Sequence, residues 1–450
     1  MTTRKRNVAI GAVAVAVAVV TAACATQRAL RIEEPVTLVE DAGWCWFQDE
    51  RAIALDADTI AFGSVANGSR DAARRGDIQI TQWNTADGSC STLELEDRLE
   101  RDDHDVPALW MRDDGRVLAT WTTHGKDEVL RSCVSTKPRD VRAFEPMRKS
   151  AIPVRNGHGV TYSNLHRLGD ALVCVSRADG WNPTVLVAAD DDASKWQSRG
   201  RLLAGPGRPY LKFASAGGKL HFVATEQHPR DFDNSLWHGV TDATGDVCAS
   251  TGEAVGAWGM VAPQQCTRVF EGTADAVAWP CDLELDAQQR PVALFSVQKD
   301  GRGKPRGQGG LDHRYCYARF DGEAWRVREI AFAGSKLYSG EDDYTGLACV
   351  WPDDPSVVFV SCDVDPRTGE ALVSKRDGQR HWEIFMGVTD DLGATFTWTA
   401  ITHDSLCDNL RPIAPRWRTD RCALLWLRGE LRTYTDYTLD AVGLVVEPRR

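Results

Sequence analysis

The chain lacks what a helical, a membrane-spanning or a nucleic-acid-binding protein needs. Helical periodicity is absent over any long window, which removes helix bundles and α/β folds from consideration. Beyond Arg31 no apolar stretch approaches the roughly 20 residues of a membrane helix. Positive charge is in deficit: 53 Lys and Arg stand against 64 Asp and Glu, a net −11, so a nucleic acid finds no complementary surface. The cysteines never fall in CxxC or another metal-finger spacing. What remains describes an acidic, soluble globular body.

One apolar run does exist, near residue 1. Met1-Thr-Thr-Arg-Lys-Arg6 is basic and precedes an alanine/valine run from Val8 to about Val20, the form of a signal peptide rather than a permanent span. The run ends at Thr21-Ala-Ala-Cys24, which resembles the lipobox of bacterial lipoproteins. The expectation is an exported protein with residues 1–24 as signal segment and Cys24 lipidated as a membrane anchor, or else a secreted one. Residues 25–36 read as a linker and 37–450 as one domain, expected to be monomeric. Cys24 apart, twelve of the 13 cysteines remain, an even number compatible with disulfides outside the cytoplasm.

Short runs alternating apolar and polar residues recur, bounded by Asp-Gly, Gly-Asp or Gly-Gly pairs. Seven hairpins repeat one pattern. Their turns lie at Ala57-Asp58, Asp113-Asp114-Gly115, Gly169-Asp170, Gly217-Gly218, near Gln288, in Pro352-Asp-Asp-Pro355 and at Thr419-Asp420. Spacings of roughly 48 to 70 residues suit four-stranded blades, each hairpin forming two inner strands and the following residues the outer pair. An all-β, seven-bladed propeller is therefore predicted. A two-sheet sandwich would not repeat one unit so regularly. Thr389-Asp-Asp-Leu-Gly-Ala-Thr-Phe396 fits an Asp-box, and Ala189-Asp-Asp-Asp-Ala-Ser-Lys-Trp196 looks like a decayed copy; both are structural.

Residues equidistant from a turn face each other across a hairpin. Counting outward sets His104 opposite His124 in the second hairpin, Tyr162 opposite Arg177 in the third, and Arg208 near Gln227 with Tyr210 near Thr225 in the fourth. All lie at the open ends of their hairpins, which a propeller gathers on one face. Two imidazoles, two phenols and two guanidiniums on one groove suit proton abstraction next to a carboxylate: arginine neutralises the acid, one group takes the α-proton, another protonates the leaving oxygen. On a uronic acid that is β-elimination. The blander reading is that hairpin ends are commonly polar and such side chains only satisfy the backbone.

At these residues the chain resembles the BNR-repeat propellers that include the ulvan lyases. The resemblance rests on Gly43-Trp-Cys-Trp-Phe-Gln-Asp49, Asp102-Asp-His104 with Pro107-Ala-Leu109, Arg208-Pro-Tyr-Leu-Lys-Phe213, His228-Pro-Arg230, Asp312-His-Arg-Tyr315 with Tyr317-Ala-Arg319, Tyr344-Thr-Gly346 and Asn409-Leu-Arg-Pro412. It implies seven blades and a lyase acting on an acidic, ulvan-like polysaccharide. It also implies His104, His124, Tyr162 and Arg177 as catalytic residues, with Arg208, Tyr210 and Lys212 binding substrate. One departure stands out: Asp105-Val106 replaces the asparagines the family often carries after the first histidine. The chemistry requires no cofactor. Since some members hold a structural zinc, a structural zinc or calcium is left open, with His238, Cys281 and His313 as candidate zinc ligands. Two other functions compete. One is a non-catalytic carbohydrate-binding propeller. The other is a sialidase-like hydrolase, suggested by the Asp-box but lacking a Phe-Arg-Ile-Pro-type opening motif.

Overall fold

A computed structural model describes residues 30–448 apart from 46, 156 and 191. The signal segment and Cys24 lie outside the described residues. Among them, seven antiparallel sheets follow one another along the chain, each ordered from an inner to an outer strand. The first blade is typical: Ala52–Ala54, Thr59–Val65, Ile78–Asn84 and Cys90–Glu96 pair in sequence order. Burial explains their compositions. Thr59–Val65 is buried at all positions, whereas Cys90–Glu96, at the rim, is mostly exposed and polar.

All seven anticipated hairpins form the inner strand pairs of the blades. The second keeps the counted register, Ala108 against Thr120 and Met111 against Val117. Blade four departs from the plan: it adds a rim hairpin, Asp246–Cys248 with Ala254–Ala257, and Thr267–Phe270 also pairs with its third strand, Leu236–Thr241.

Closure of the ring corrects the expected boundary. Leu30–Ile32 pairs with the last strand, Asp436–Pro448, and supplies the outermost strand of blade seven; Val36–Val39 pairs with the same strand. Residues 30–36 therefore belong to the propeller and not to a linker. Local patterning cannot reveal this, because the partner lies at the other end of the chain. The pairing covers an edge that would otherwise be open.

Apolar side chains fill the spaces between blades, as with Trp351, Phe359, Ile384, Trp426 and Leu444 between the sixth and seventh. The cysteines join them. Twelve are free thiols among the described residues and nine of these are buried, so the disulfide expectation is corrected: most sit on separate strands, and the buried ones pack as small hydrophobes. In the Asp-box, Asp391 accepts from the Thr395 amide (2.8 Å) and hydroxyl (2.7 Å). Gly393 has φ +94° and abuts the Tyr317 ring, while Phe396 packs on Tyr317 of the preceding blade at 5.4 Å between centroids. Asp190 accepts from the Ser194 amide at 2.8 Å in the decayed copy.

The axial channel is plugged by Phe47, with Gln48 and Asp49 following it. Phe47 contacts Tyr210 (4.6 Å), Trp279 (4.8 Å), Tyr344 (5.5 Å) and Tyr162 (6.3 Å), rings from four different blades. Two separate mouths result.

Candidate functional site

The first histidine sits on a single 3-10 turn, Asp103–Asp105, just before the inner strand Ala108–Met111. Asp102 caps that turn, accepting from the His104 amide at 3.0 Å. The same carboxylate does more. Its two oxygens reach His104 Nδ1 at 2.5 Å and His124 Nδ1 at 2.9 Å, and the two rings stack with centroids 3.8 Å apart and planes 9° apart.

Burial opposes ionisation of Asp102, but the two imidazoles outweigh it and hold the carboxyl well below the usual range. Burial also opposes a charge on His104, yet Cys45 and Asp102 raise its pKa well above the ordinary value. His124 moves the other way, lowered by burial and then by cationic His104. An ionised Asp102 thus places a proton on Nδ1 of each ring and leaves His124 Nε2 with a free lone pair. His104 is almost fully enclosed, whereas the His124 side chain keeps 18% exposure.

Blade three deviates by one residue from the counted register. Asn164 still faces Val175, but Arg177 faces Thr161 rather than Tyr162. The bulge leaves Tyr162 at φ +64°, in the left-handed region, a conformation that costs on the order of 1–3 kcal/mol. It does not separate the pair: the Arg177 guanidinium lies 4.9 Å from the Tyr162 ring and 4.3 Å from the Tyr210 ring. Arg177 Nη2 donates to the Pro209 carbonyl (2.8 Å), but its buried Nη1 has no partner. Arg208 lies 4.3 Å over Trp181, and its Nε is likewise unpartnered. Neither guanidinium has a carboxylate within ion-pair distance among the described residues. Burial raises the Tyr162 phenol, which stays protonated.

Tyr210 keeps its expected neighbour, exchanging hydrogen bonds with Thr225 at 3.0 Å. The structure therefore gathers His104, His124, Tyr162, Arg177, Arg208 and Tyr210 around one mouth of the channel. Lys212 does not join them. It is buried inside the channel and its Nζ donates to the Gln48 carbonyl: two residues beyond Tyr210 it shares that side chain's face of the strand but stands deeper, away from the mouth. The zinc set is corrected too. His238 hydrogen-bonds Ser250 and His221, His313 Nδ1 meets the Gly334 carbonyl, and none of the three belongs to a group of candidate ligand atoms within 4.8 Å among the described residues. Closer donor sets do occur at Cys45, Asp103 and His104, and at Asp102, His104 and His124. Asp103 is already paired with Arg411, and Asp102 with both imidazoles.

Asp105, the departure from the family pattern, is fully buried with neither carboxyl oxygen hydrogen-bonded. Burial, then Glu100 and Asp102, push its pKa well up. It is thus a neutral acid, close to asparagine in charge and shape.

Three participants escaped the sequence reading. Asp102 lay within a quoted motif but carried no visible sign of its bridge. Tyr434, from the turn between the two long strands of blade seven, stands edge-on to His104 (5.1 Å) and His124 (5.7 Å), and its carbonyl accepts from the Asp103 amide. His228 packs on Tyr210 at 5.3 Å and accepts from Arg230 at 2.9 Å; burial and the neighbouring arginines lower it to about 2, so it is neutral.

The fold is shared with a solved ulvan lyase, described as representing a new family of polysaccharide lyase. In its complex with -[GlcA(1-4)Rha3S]- it superposes with a TM-score of 0.63 at 12% identity, over 91% of this chain and 95% of that one. The uncomplexed lyase gives 0.63 at 13% identity with the same coverage. At such identity the likeness is one of fold. No curated protein matches the chain in sequence. The pattern of the BNR repeat-containing family matches residues 65–333, more than half of the sequence, and the chain belongs to that family.

Proposed function

We propose that the protein is a polysaccharide lyase that cleaves a uronate-containing acidic polymer by β-elimination. The observation that carries this reading is one carboxylate bridging two stacked imidazoles, whose rings lie 5.6 Å (His104) and 6.5 Å (His124) from the protonated Tyr162 ring, itself covered by a guanidinium with no carboxylate partner. Each group has a role. Arg177, with Arg208 beside it, neutralises the uronate carboxylate and so acidifies the neighbouring C–H. His124 Nε2 takes that proton, while Asp102 holds the ring and balances the imidazolium that forms. The electrons of the C–H bond become the new C=C bond as the glycosidic C–O bond breaks, and the Tyr162 hydroxyl protonates the departing oxygen. Because its pKa is raised, Tyr162 is a donor and not a base at neutral pH.

Export through residues 1–24, with Cys24 as lipid anchor, belongs to the same proposal, since such a polymer is met outside the cell. The test is incubation with ulvan and a panel of other uronate polymers. Unsaturated, ultraviolet-absorbing ends are expected from the wild type and not from His124→Ala. Binding without any product would replace the lyase by a carbohydrate-binding propeller. Release of reducing sugar without unsaturation would replace it by a hydrolase.

A further inference from the structure

The groove does not end at Arg208. In blade three the strands run in the order Thr161–Leu168, Ala171–Asp179, Asn182–Ala188 and Trp196–Arg201 from axis to rim. Their ends on the groove face carry, in turn, Tyr162, Arg177, the turn holding Trp181, and Arg199 with Arg201. Three steps at about 4.8 Å make a radial path of about 14 Å, longer than one sugar ring.

At the rim this path opens into a cleft of about 900 Å³, lined by Arg155, Arg199, Arg201, Asp179 and Trp258 among others. Its charge runs against the acidic balance of the chain. Asp179 is engaged by Arg201, at 2.7 and 3.1 Å, whereas Arg155 and Arg199 form no ion pair among the described residues. Both are exposed. The half-buried Trp258 indole donates to the Thr241 hydroxyl at 2.7 Å, which holds its ring at the wall. Two uncompensated guanidiniums beside an anchored indole form a recognition set for an anionic sugar: charge for a carboxylate or sulfate, a flat apolar surface for the ring. The comparable cleft on the other side of the groove, lined by Arg230, Arg302, Lys304 and Arg306, is offset by Asp231, Asp233, Asp342 and Asp343. It offers no such surplus.

We infer that the rim cleft of Arg155, Arg199, Arg201 and Trp258 is a remote subsite for an anionic sugar unit, so that the polymer lies radially along blade three and is engaged well beyond the uronate being cleaved. The inference rests on the proposed lyase reading for what happens at the axis, but its binding test does not depend on turnover.

The test compares wild type, Arg155→Ser/Arg199→Ser and the charge-matched Arg326→Ser/Arg328→Ser, on the rim of blade five, by affinity electrophoresis in native gels containing ulvan or pectate. Mobilities are referred to gels without polymer. Wild type and the blade-five variant should be retarded alike, and the blade-three variant should need about five-fold more polymer for equal retardation. His124→Ala should be retarded like wild type. Equal retardation of all three arginine forms, or none of the wild type in either gel at low salt, overturns the subsite. If unsaturated product is also absent from the wild type, the lyase reading fails separately, and a retardation difference between the variants still upholds the rim site.

Discussion

The two mouths of the channel are built from the same inner strands and carry opposite chemistry. At the open ends of the hairpins stand Arg177 and Arg208, cations without acids, beside the histidine pair. At the turn ends, a cleft of about 660 Å³ is lined by Asp49, Glu50, Glu284 and Asp286, with Arg416 as its cation. There Glu50, Asp282 and Glu284 bring oxygens within 4.8 Å of one another. Burial and mutual repulsion raise Asp282 well above the usual carboxylate range and, against the pull of Arg416, raise Glu284 to about 8. Phe47 and its aromatic neighbours stand between the mouths. A symmetric scaffold thus becomes polar along its axis: guanidiniums without acids stand at one mouth and clustered carboxyl groups at the other.

The largest effect should come from breaking the histidine mouth. His124→Ala is expected to lower turnover by at least about 100-fold, the usual contribution of a positioned base, with an unchanged circular dichroism spectrum. Asp102→Asn should lose nearly as much, because a neutral amide no longer holds both Nδ1 protons; initial rates on the responsive polymer measure it. Retention of full rate by either variant would remove the asymmetry from function.

The acidic mouth should respond through pH. A carboxyl with a raised folded-state pKa is protonated in both states below its unfolded pKa and costs nothing there. The cost grows as pH climbs from about 4.5 to the folded value of about 8. Glu284→Gln should therefore raise the melting temperature more at pH 8 than at pH 5, and a gain larger at pH 5 would contradict the assignment. Asp105→Asn tests the same physics behind the histidines. It removes the cost of protonating a buried carboxyl that ionises when the chain unfolds, and should stabilise the protein near neutral pH but not near pH 3 in denaturant titrations, while leaving turnover intact. The smallest effect is expected far from both mouths. Asp391→Ala should cost about 1 kcal/mol through the lost turn bonds and leave activity untouched.

Much of this molecule was legible because hairpin pairing is local. Once a turn is located, counting outward assigns the cross-strand partners of the next several residues, and seven turns suffice for seven blades. His104 with His124 and Tyr210 with Thr225 follow directly. The count slipped only at Tyr162, where a bulge shifts the register by one; Lys212 keeps its register against Val223 but stands too deep in the channel for the binding role the resemblance implied. Other features join positions far apart in the chain. Leu30–Ile32 closes the ring on the last strand, Phe47 plugs an axis walled by four other blades, and Tyr434 reaches the histidines from blade seven. Asp102 belongs with them: its capping bond is local, yet its bridge to a second imidazole and its ionisation depend on how tightly the fold encloses them. Strand patterning is written in neighbouring residues and can be read from them. Burial, charge compensation and the meeting of distant loops arise only when the ring closes, because each depends on what the rest of the chain places alongside.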